Sequence, residues 1–166
     1  MEINIRAARR SDLNRVVYIE QQCFPKAEAA TYKRLSERMH VFVHSFLVAE
    51  KKGKVIGFIN GCVTKQRKLT DDLYESTMLH DDKADYQMVF GLDVLPSEQH
   101  QGIAKMLMKA YIAAAYEQNR KAVILTCKKY LIPFYEQFGY TCEGRSSSLH
   151  GGAVWYDMIL LLHEKT

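Results

Sequence analysis

The chain has 166 residues, of which 48% are hydrophobic, 25% charged and 11% aromatic, as is typical of one globular domain. Nine glycines and three prolines are too few for a linker-rich or disordered chain, and no apolar run approaches the roughly 20 residues that span a bilayer. The formal net charge of +4 is mild and its basic residues are scattered, so no nucleic-acid partner is indicated. The N-terminus lacks the apolar segment of a secretory signal. We therefore expect one cytoplasmic domain over residues 1–166, without a membrane segment.

Four cysteines stand far apart, with no CxxC pair, and we expect free thiols and no zinc site. Cys62 and Cys127 lie inside apolar runs, where cysteine usually behaves as a small core residue. His40 and His44 are four residues apart but have no evident third ligand. The sequence therefore predicts no metal site.

Alternating apolar residues over 2–8 predict a first strand, and Ser11 and Asp12 stand just before the helical spacing that begins at Leu13. A weaker helical pattern covers residues 24–40, separated from the first helix by Pro25. We expect a lid or a second helix in this segment.

A hairpin is predicted next, because residues 45–50 and 54–64 are rich in Val, Ile and Phe and flank a turn sequence that ends at Gly53. Residues 65–85 are polar and predict a loop or a short irregular helix. Residues 87–95 are a further predicted strand. Gly91 inside it indicates a bulge or the close approach of another group to the backbone, a ligand being one candidate.

Apolar residues recur at helical spacing from Gly102, and residues 122–127 form a short buried strand, so this half of the chain predicts a parallel crossover. Pro133 opens a predicted helix over 133–138, and strands at 140–143 and 154–162 complete the chain. The predicted order is βααβββαβαββ. The fold class is α/β (α+β), with a central mixed sheet flanked by helices.

The segment from Pro96 to Ala104 joins the strand at 87–95 to the helix that starts near Gly102. The first N–H groups of a helix lack internal partners and lie at the positive end of its dipole, so this junction suits an anion such as a diphosphate. Gly102 and Ala104 are small enough to let phosphate oxygens approach the backbone. An ordinary strand-to-helix turn would also place small residues there. The glycine patterns of the P-loop and of the dinucleotide fold are absent from the segment.

The run Gln99-His100-Gln101-Gly102-Ile103-Ala104 resembles the (Q/R)xxGx(G/A) loop that binds the acyl-CoA pyrophosphate in the GNAT superfamily of N-acetyltransferases. The residues before it are similar to that family's fourth strand, and the helix after it to the third helix. A resemblance to the arylalkylamine (serotonin) N-acetyltransferase branch lies in Leu131–Tyr140, Gly57–Gly61 and Arg67–Thr70. It extends over essentially the whole chain.

This resemblance implies a splayed, mostly antiparallel mixed sheet whose fourth and fifth strands part, with the pantetheine arm of acetyl-CoA, the implied co-substrate, in the gap. The backbone of Leu92, Asp93 and Val94 would bind the pantetheine much as an added strand is bound. The backbone amides of the loop would hold the pyrophosphate: His100, Gln101, Gly102, Ile103, Ala104 and Lys105.

Tyr135 matches the family tyrosine that protonates the departing CoA sulfur. It lies in the first turn of the predicted helix just beyond strand 122–127, at strand ends where a crevice is expected. A phenol with a reference pKa of about 10 can donate to a thiolate whose conjugate acid has a pKa of about 8.5, with help from the site's geometry. A core tyrosine without a catalytic role is the alternative.

An alkylamine is protonated at neutral pH, so a base must act before it attacks. The resemblance implies two histidines on the fourth strand for this task, but the matching residues here are Met88 and Phe90, which are apolar. Substitutes in the sequence are carboxylates and histidines, or a water chain held by backbone carbonyls. The candidate side chains are Glu28, Asp85, His40 and His44.

Four residues are candidates for an apolar acceptor pocket, and each is equally compatible with core packing: Phe24, Tyr32, Met88 and Phe90. The residues after Phe24 lack the proline-containing motif that shapes the amine pocket in the arylalkylamine branch. Trp155, the single tryptophan, is interpreted as a core residue or a subunit contact.

We therefore expect an acetyl-CoA-dependent N-acetyltransferase that acts on a primary amine, arylalkylamine-like or polyamine-like, by direct attack in a ternary complex. Two alternatives stay open, acetylation of a protein N-terminus or lysine and a CoA-binding module without chemistry. The expected partner is a small-molecule amine, with no nucleic acid and no membrane, and a homodimer is compatible with what is common for small domains.

Overall fold

Residues 2–163 are described by the computed structural model, and their first third forms a strand, two helices and a hairpin. β1 (Ile3–Ala7) leads through one 3₁₀ turn into α1 (Leu13–Cys23), which α2 (Tyr32–Val41) follows. β2 (Phe46–Lys51) and β3 (Lys54–Asn60) then form the expected hairpin.

The middle of the chain carries short elements, β4 (Val63–Thr64) and α3 (Asp71–Glu75), before β5 (Tyr86–Val89) and β6 (Gly91–Val94). The expected order did not contain β4 and α3. The remaining elements confirm the expected crossover and the final strands: α4 (Ile103–Glu117), β7 (Ala122–Cys127), α5 (Ile132–Glu136), β8 (Thr141–Arg145) and β9 (Tyr156–Leu161).

Two boundaries differ from the sequence prediction for local reasons. Residues 24–31 are not helical, because Pro25 interrupts the helical run and the Thr31 hydroxyl caps the second helix by accepting the N–H of Arg34 at 3.1 Å. The run predicted as one strand over 87–95 is split at Phe90 into β5 and β6.

The strands pair in two groups. β1, β2, β3 and β6 form an antiparallel sheet in that order, and β4, β5, β7, β9 and β8 form a second sheet in which β5 and β7 run parallel. The chain passes between the two sheets at Gly61 and again at Phe90. The mixed fold class is therefore confirmed, and the splay takes the form of two sheets joined at these crossings.

The gap in the sheet begins at Phe90. β5 pairs with β7, whereas β6 turns away to pair with β3, so that β6 and β7 diverge. α1 and α4 pack on opposite faces of the first sheet, because the side chain of Asp93 approaches α1 while that of the next residue, Val94, lies beside Leu107 of α4. The core on both faces is apolar, and the diverging strands open a crevice inside it.

Candidate active site

A crevice of about 120 Å³ lies where β6 and β7 diverge. Gly91 and Leu92 of β6 form one wall, and Thr126 and Cys127 at the end of β7 form the other. Tyr135 of α5 also lines the crevice. Tyr135, which the sequence places just beyond strand 122–127, thus lies beside residues of both β6 and β7.

The open edge of β6 presents backbone groups to this gap. Leu95 donates its N–H to Ile56 O of β3 at 2.9 Å, so residues 93 and 95 face β3 and the alternate residues, Leu92 and Val94, face the other way. An extended ligand segment could therefore bond to Leu92 as a further strand would.

The N-terminus of α4 follows the same edge. Gly102 is its N-cap with a φ of 83°, and a Cβ at this residue would have no atom within 4 Å, so the space over the first amides is open. His100 also has a positive φ of 65°, and Gln99 Nε2 donates to Val94 O at 3.0 Å, which ties the loop to the end of β6. Helix amides without internal partners beside open space fit a diphosphate.

Tyr135 is 8% exposed, and its ring packs edge-on against Phe134 and Tyr140. Burial raises the pKa of Tyr135 above its usual range, and neighbouring Cys127 and Asp93 add to the shift. Its phenol is therefore protonated at neutral pH, as a proton donor must be.

A second cavity of about 380 Å³ adjoins the crevice. Five residues line both spaces and form their common boundary: Glu20, Glu28, Tyr74, Phe90 and His150. A molecule in the larger cavity thus reaches the crevice past two carboxylates and three aromatic rings.

Some charged groups of the larger cavity already form ion pairs or hydrogen bonds within the protein. Glu28 Oε2 accepts from Lys128 Nζ at 3.0 Å, while its buried Oε1 has no partner in the part of the chain that the structure describes. Arg34 and Arg38 both donate to Tyr74 O, at 2.9 and 3.1 Å. Burial lowers the pKa of Arg38 to about 10, which keeps its guanidinium charged at neutral pH.

Aromatic side chains hold the boundary in place. The Tyr74 hydroxyl lies 3.2 Å from Thr126 Oγ1, and its ring stacks on His150 at 4.8 Å between centroids. His150 Nε2 lies 2.9 Å from Glu28 O, and Trp155 Nε1 donates to His150 O at 2.8 Å. Trp155 lines the crevice and is therefore part of the site's wall.

Two buried acids face each other beside Gly91. Glu20 of α1 is 6% exposed, Asp93 of β6 is completely buried, and burial followed by the charge of Glu20 raises the pKa of Asp93 well above its usual range. Both Asp93 oxygens lack a donor among residues 2–163. Burial without a donor therefore favours the protonated form of Asp93.

The four residues considered for an apolar pocket are placed differently. Phe24 lines the crevice and Phe90 lines both cavities, whereas Met88 is fully buried in the core and Tyr32 is exposed outside them. The structure brings the two phenylalanines to the site and leaves the other two away from it.

Of the candidate bases, the structure brings only Glu28 to the two cavities. Asp85 is half exposed and pairs with Lys121 at 3.2 Å, at the far end of β5. His44 lines a separate surface groove and His40 is exposed at the end of α2. Within residues 2–163, no three His, Cys, Asp or Glu side chains are placed to hold a metal ion.

Sequence reasoning missed Glu20, Tyr74 and His150. Glu20 had a signal, because it continues the apolar stripe of α1 at helical spacing from Leu13, where a charged residue is unexpected. Tyr74 lies in the short helix α3 and His150 in a 3₁₀ turn, and the approach of both to the crevice depends on tertiary contacts that no local pattern indicates.

The diverging strands, the open α4 N-terminus and the protonated tyrosine between them define a coenzyme A-dependent acyltransferase. A family model described as acetyltransferase (GNAT) family matches residues 13–140, and the chain belongs to this family. It is an acyltransferase, and its co-substrate is acetyl-CoA. No helix of the described range is long and apolar enough to cross a membrane.

Solved structures with this fold include the loading GNATL domain of CurA from Lyngbya majuscula, with a TM-score of 0.85 and 14% identity over 98% of each chain. A GNAT-like decarboxylase, GphF, in complex with isobutyryl-CoA has a TM-score of 0.80 at 19% identity over 96% of this chain and 100% of that one. A putative acetyltransferase, yncA from Salmonella typhimurium with acetyl-CoA, has a TM-score of 0.71 at 16% identity over 100% and 97%. At such identities the similarity shows the fold alone.

Proposed function

We propose that this acetyltransferase acts on a small primary amine, arylalkylamine-like or polyamine-like, which attacks the thioester directly in a ternary complex. The observation that carries the proposal is the junction of the two cavities, where the crevice beside Tyr135 opens into a space of about 380 Å³. That volume lies in the range of small-molecule sites.

In this proposal, the backbone of Leu92, Asp93 and Val94 binds the pantetheine along the open edge of β6. The backbone amides from His100 to Lys105 hold the pyrophosphate. The outward facing of Leu92 and Val94 supports the first assignment, whereas the backbone groups of Asp93 are directed to β3. The open space over Gly102 supports the second assignment. Together they would orient the thioester toward the common boundary of the cavities.

The acceptor's chemistry is suggested by the lining of the larger cavity. Four carboxylates and two guanidinium groups line it, and the excess of acids favours a cationic group such as an ammonium. The acids are Glu20, Glu28, Asp71 and Glu75, and the bases are Arg34 and Arg38. Tyr74 and Phe90 offer apolar ring surface beside these charges. An amine with a hydrocarbon or aromatic body therefore matches the lining.

Tyr135 is proposed to donate its proton to the departing sulfur. Its position in the crevice and its protonated phenol support this role, and catalysis by a positioned acid contributes about 10²- to 10⁴-fold in rate. The amine nitrogen would enter from the larger cavity, on the other side of the boundary.

The test is mass-spectrometric detection of products after incubation with acetyl-CoA and a panel of arylalkylamines, polyamines, amino acids and short peptides. Acetylated small amines are the expected result. Acetylation of peptides alone would instead support the protein N-acetyltransferase. A raised melting temperature with acetyl-CoA and no product would support a CoA-binding module.

The panel also needs an acyl-CoA with a free carboxylate, tested for release of CO₂, because the same fold is found in a decarboxylase. A separate control measures hydrolysis of acetyl-CoA by the free CoA that it releases. Free CoA that forms without an acetylated product would contradict transfer to the amines tested.

A further inference from the structure

The buried Asp93 is a feature that the proposed function leaves unexplained. It lies on β6, completely buried, with neither oxygen partnered by a donor within residues 2–163. An ionised carboxylate in such a place is strongly unfavourable unless it is paired. The nearest ionisable partner is another carboxyl group, that of Glu20.

Gly91 lies next to both acids. A Cβ on Gly91 would lie 3.0 Å from Asp93 Oδ1 and 3.9 Å from Glu20 Oε1, so both oxygens surround the same point at the start of the gap. The other oxygen, Glu20 Oε2, accepts the N–H of Ala30 at 2.8 Å. The glycine thus leaves room for the two acids, which is the close approach that the sequence indicated.

The Asp93 and Glu20 carboxyl groups are hydrogen-bonded to each other, and a hydrogen bond between two carboxyl groups requires one proton, which the pair shares. The pair then carries one negative charge, and the nearby guanidinium of Arg38 compensates it. Protonated Asp93 donates its O–H to Glu20, which gives one of its two unpartnered oxygens a hydrogen bond.

We infer that Glu20 and Asp93 form a carboxyl pair in which Glu20 is the base that takes the proton of the acceptor ammonium and Asp93 positions it. The inference rests on the proposed function. Glu20 borders both cavities, at the boundary where the nitrogen must pass from the larger cavity toward the thioester.

The proton balance is complete without a further reagent. An N–H bond of the ammonium breaks and its proton passes to Glu20. The nitrogen lone pair then forms the C–N bond as the C–S bond breaks. The second proton of the nitrogen replaces the one that Tyr135 gives to sulfur. Amide and thiol result, and Glu20 returns its proton to solvent.

The surroundings of Glu20 favour it over Glu28 for this task. Glu28 is held by Lys128, so that proton uptake there would break an ion pair. The titratable and charged groups that face Glu20 from the neighbouring elements are Cys23 of α1, Glu28, Arg38 of α2, Tyr74 of α3, Asp93 of β6 and His150.

The experiment measures kcat against pH for Glu20→Gln with an acceptor found in the screen. Glutamine keeps an oxygen for the N–H of Ala30 but cannot take a proton. We expect kcat to fall about 100-fold near neutral pH, and the loss to shrink as the pH approaches the amine's own pKa. Glu37→Gln, an exposed carboxylate of α2, is the matched control.

Two substitutions at Asp93 test whether this residue positions Glu20. Asp93→Asn keeps a donor for Glu20, whereas Asp93→Leu removes it, and we expect the asparagine variant to retain several-fold more activity. Equal activity of the two variants would contradict the positioning role.

Infrared spectroscopy tests the shared proton without any acceptor and without relying on variant activity. We expect a protonated carboxyl band in the wild-type protein at neutral pH that disappears in Asp93→Asn. Absence of the band, or a loss in Glu20→Gln that does not shrink with rising pH, would overturn the inference. Failure of the wild-type enzyme to acetylate any amine would contradict the proposed function instead, and the infrared result would still decide the shared proton.

Discussion

Tyr135 is the residue that we propose as the proton donor to the departing sulfur. It is buried beside the crevice, its phenol is protonated, and the second aromatic ring it contacts, Tyr140, keeps water from its surroundings. A sequence motif indicated its role, and only the packing of α5 against the strand ends brings it to the gap.

Replacing Tyr135 by Phe tests this role. We expect kcat to fall about 100-fold, because sulfur would leave without its proton donor, while the affinity for acetyl-CoA stays near the wild-type value. Steady-state kinetics and calorimetric binding measure the two quantities.

Tyr130→Phe is the matched control, because Tyr130 is 77% exposed on the preceding turn. An unchanged kcat in Tyr135→Phe would remove Tyr135 from the proposed role.

Among the elements, the strand break at Phe90 has the largest consequence. Phe90 donates its N–H to Asn60 O at 2.7 Å, which commits β6 to β3. On the β5 side of Phe90, Gln87 Nε2 donates to the Tyr111 hydroxyl at 2.7 Å. That hydroxyl in turn donates to Met88 O at 2.7 Å. The gap is therefore held open by hydrogen bonds in its hinge.

The start of α4 allows a sharp test of anion binding. Gly102→Ala places a methyl group in the open space over the first amides, and we expect the acetyl-CoA dissociation constant to rise about tenfold, since about 1.4 kcal/mol is lost. The variant is also strained by about 1 kcal/mol at this positive φ.

Gly53→Ala is its control, because Gly53 also has a positive φ, 76°, and open space around it, but it lies in the hairpin turn. Both variants should lose similar stability in urea denaturation. Equal acetyl-CoA affinities in the two variants would contradict binding at the α4 N-terminus.

The crossing between the sheets at Gly61 has no space for a side chain. A Cβ there would stand 1.9 Å from Met88 O and 2.9 Å from the Tyr111 hydroxyl, so the backbone would have to move. We expect Gly61→Ala to lower the free energy of unfolding by about 3 kcal/mol or more, measured by urea denaturation. A loss no larger than that of Gly53→Ala would show that the crossing can relax.

At the scale of the whole molecule, the buried acid pair affects stability against pH. Asp93 keeps its proton in the folded protein because its pKa is raised, first by burial and then by Glu20, whereas the unfolded chain loses it near pH 4. Above that pH the folded state binds one proton more, so the free energy of unfolding contributed by Asp93 falls as the pH rises.

Asp93→Asn removes this dependence. We therefore expect the variant to gain stability relative to the wild-type protein as the pH rises above about 4, where the unfolded chain loses this proton. Urea denaturation across this range measures it. Asp85→Asn, at a half-exposed ion pair with Lys121, is the comparison. A stability difference that does not change with pH would contradict a protonated Asp93.

The sequence by itself determined the elements and the cofactor loop. Hydrophobic periodicity predicted α1, α4 and the strands, because the spacing of apolar residues follows the buried face of each element. The loop at Gly102 was found because its residues are contiguous in the sequence. Its interpretation as an acyl-CoA site stays a prediction.

Only the tertiary structure decided which groups meet at the acceptor side. Glu20, Tyr74, Asp93 and His150 come from α1, α3, β6 and a late turn, far apart along the chain. Their approach depends on the break at Phe90, where pairing with β3 prevails over pairing with β7. Such a competition between distant strands is settled by long-range hydrogen bonds and packing, which a local pattern does not contain.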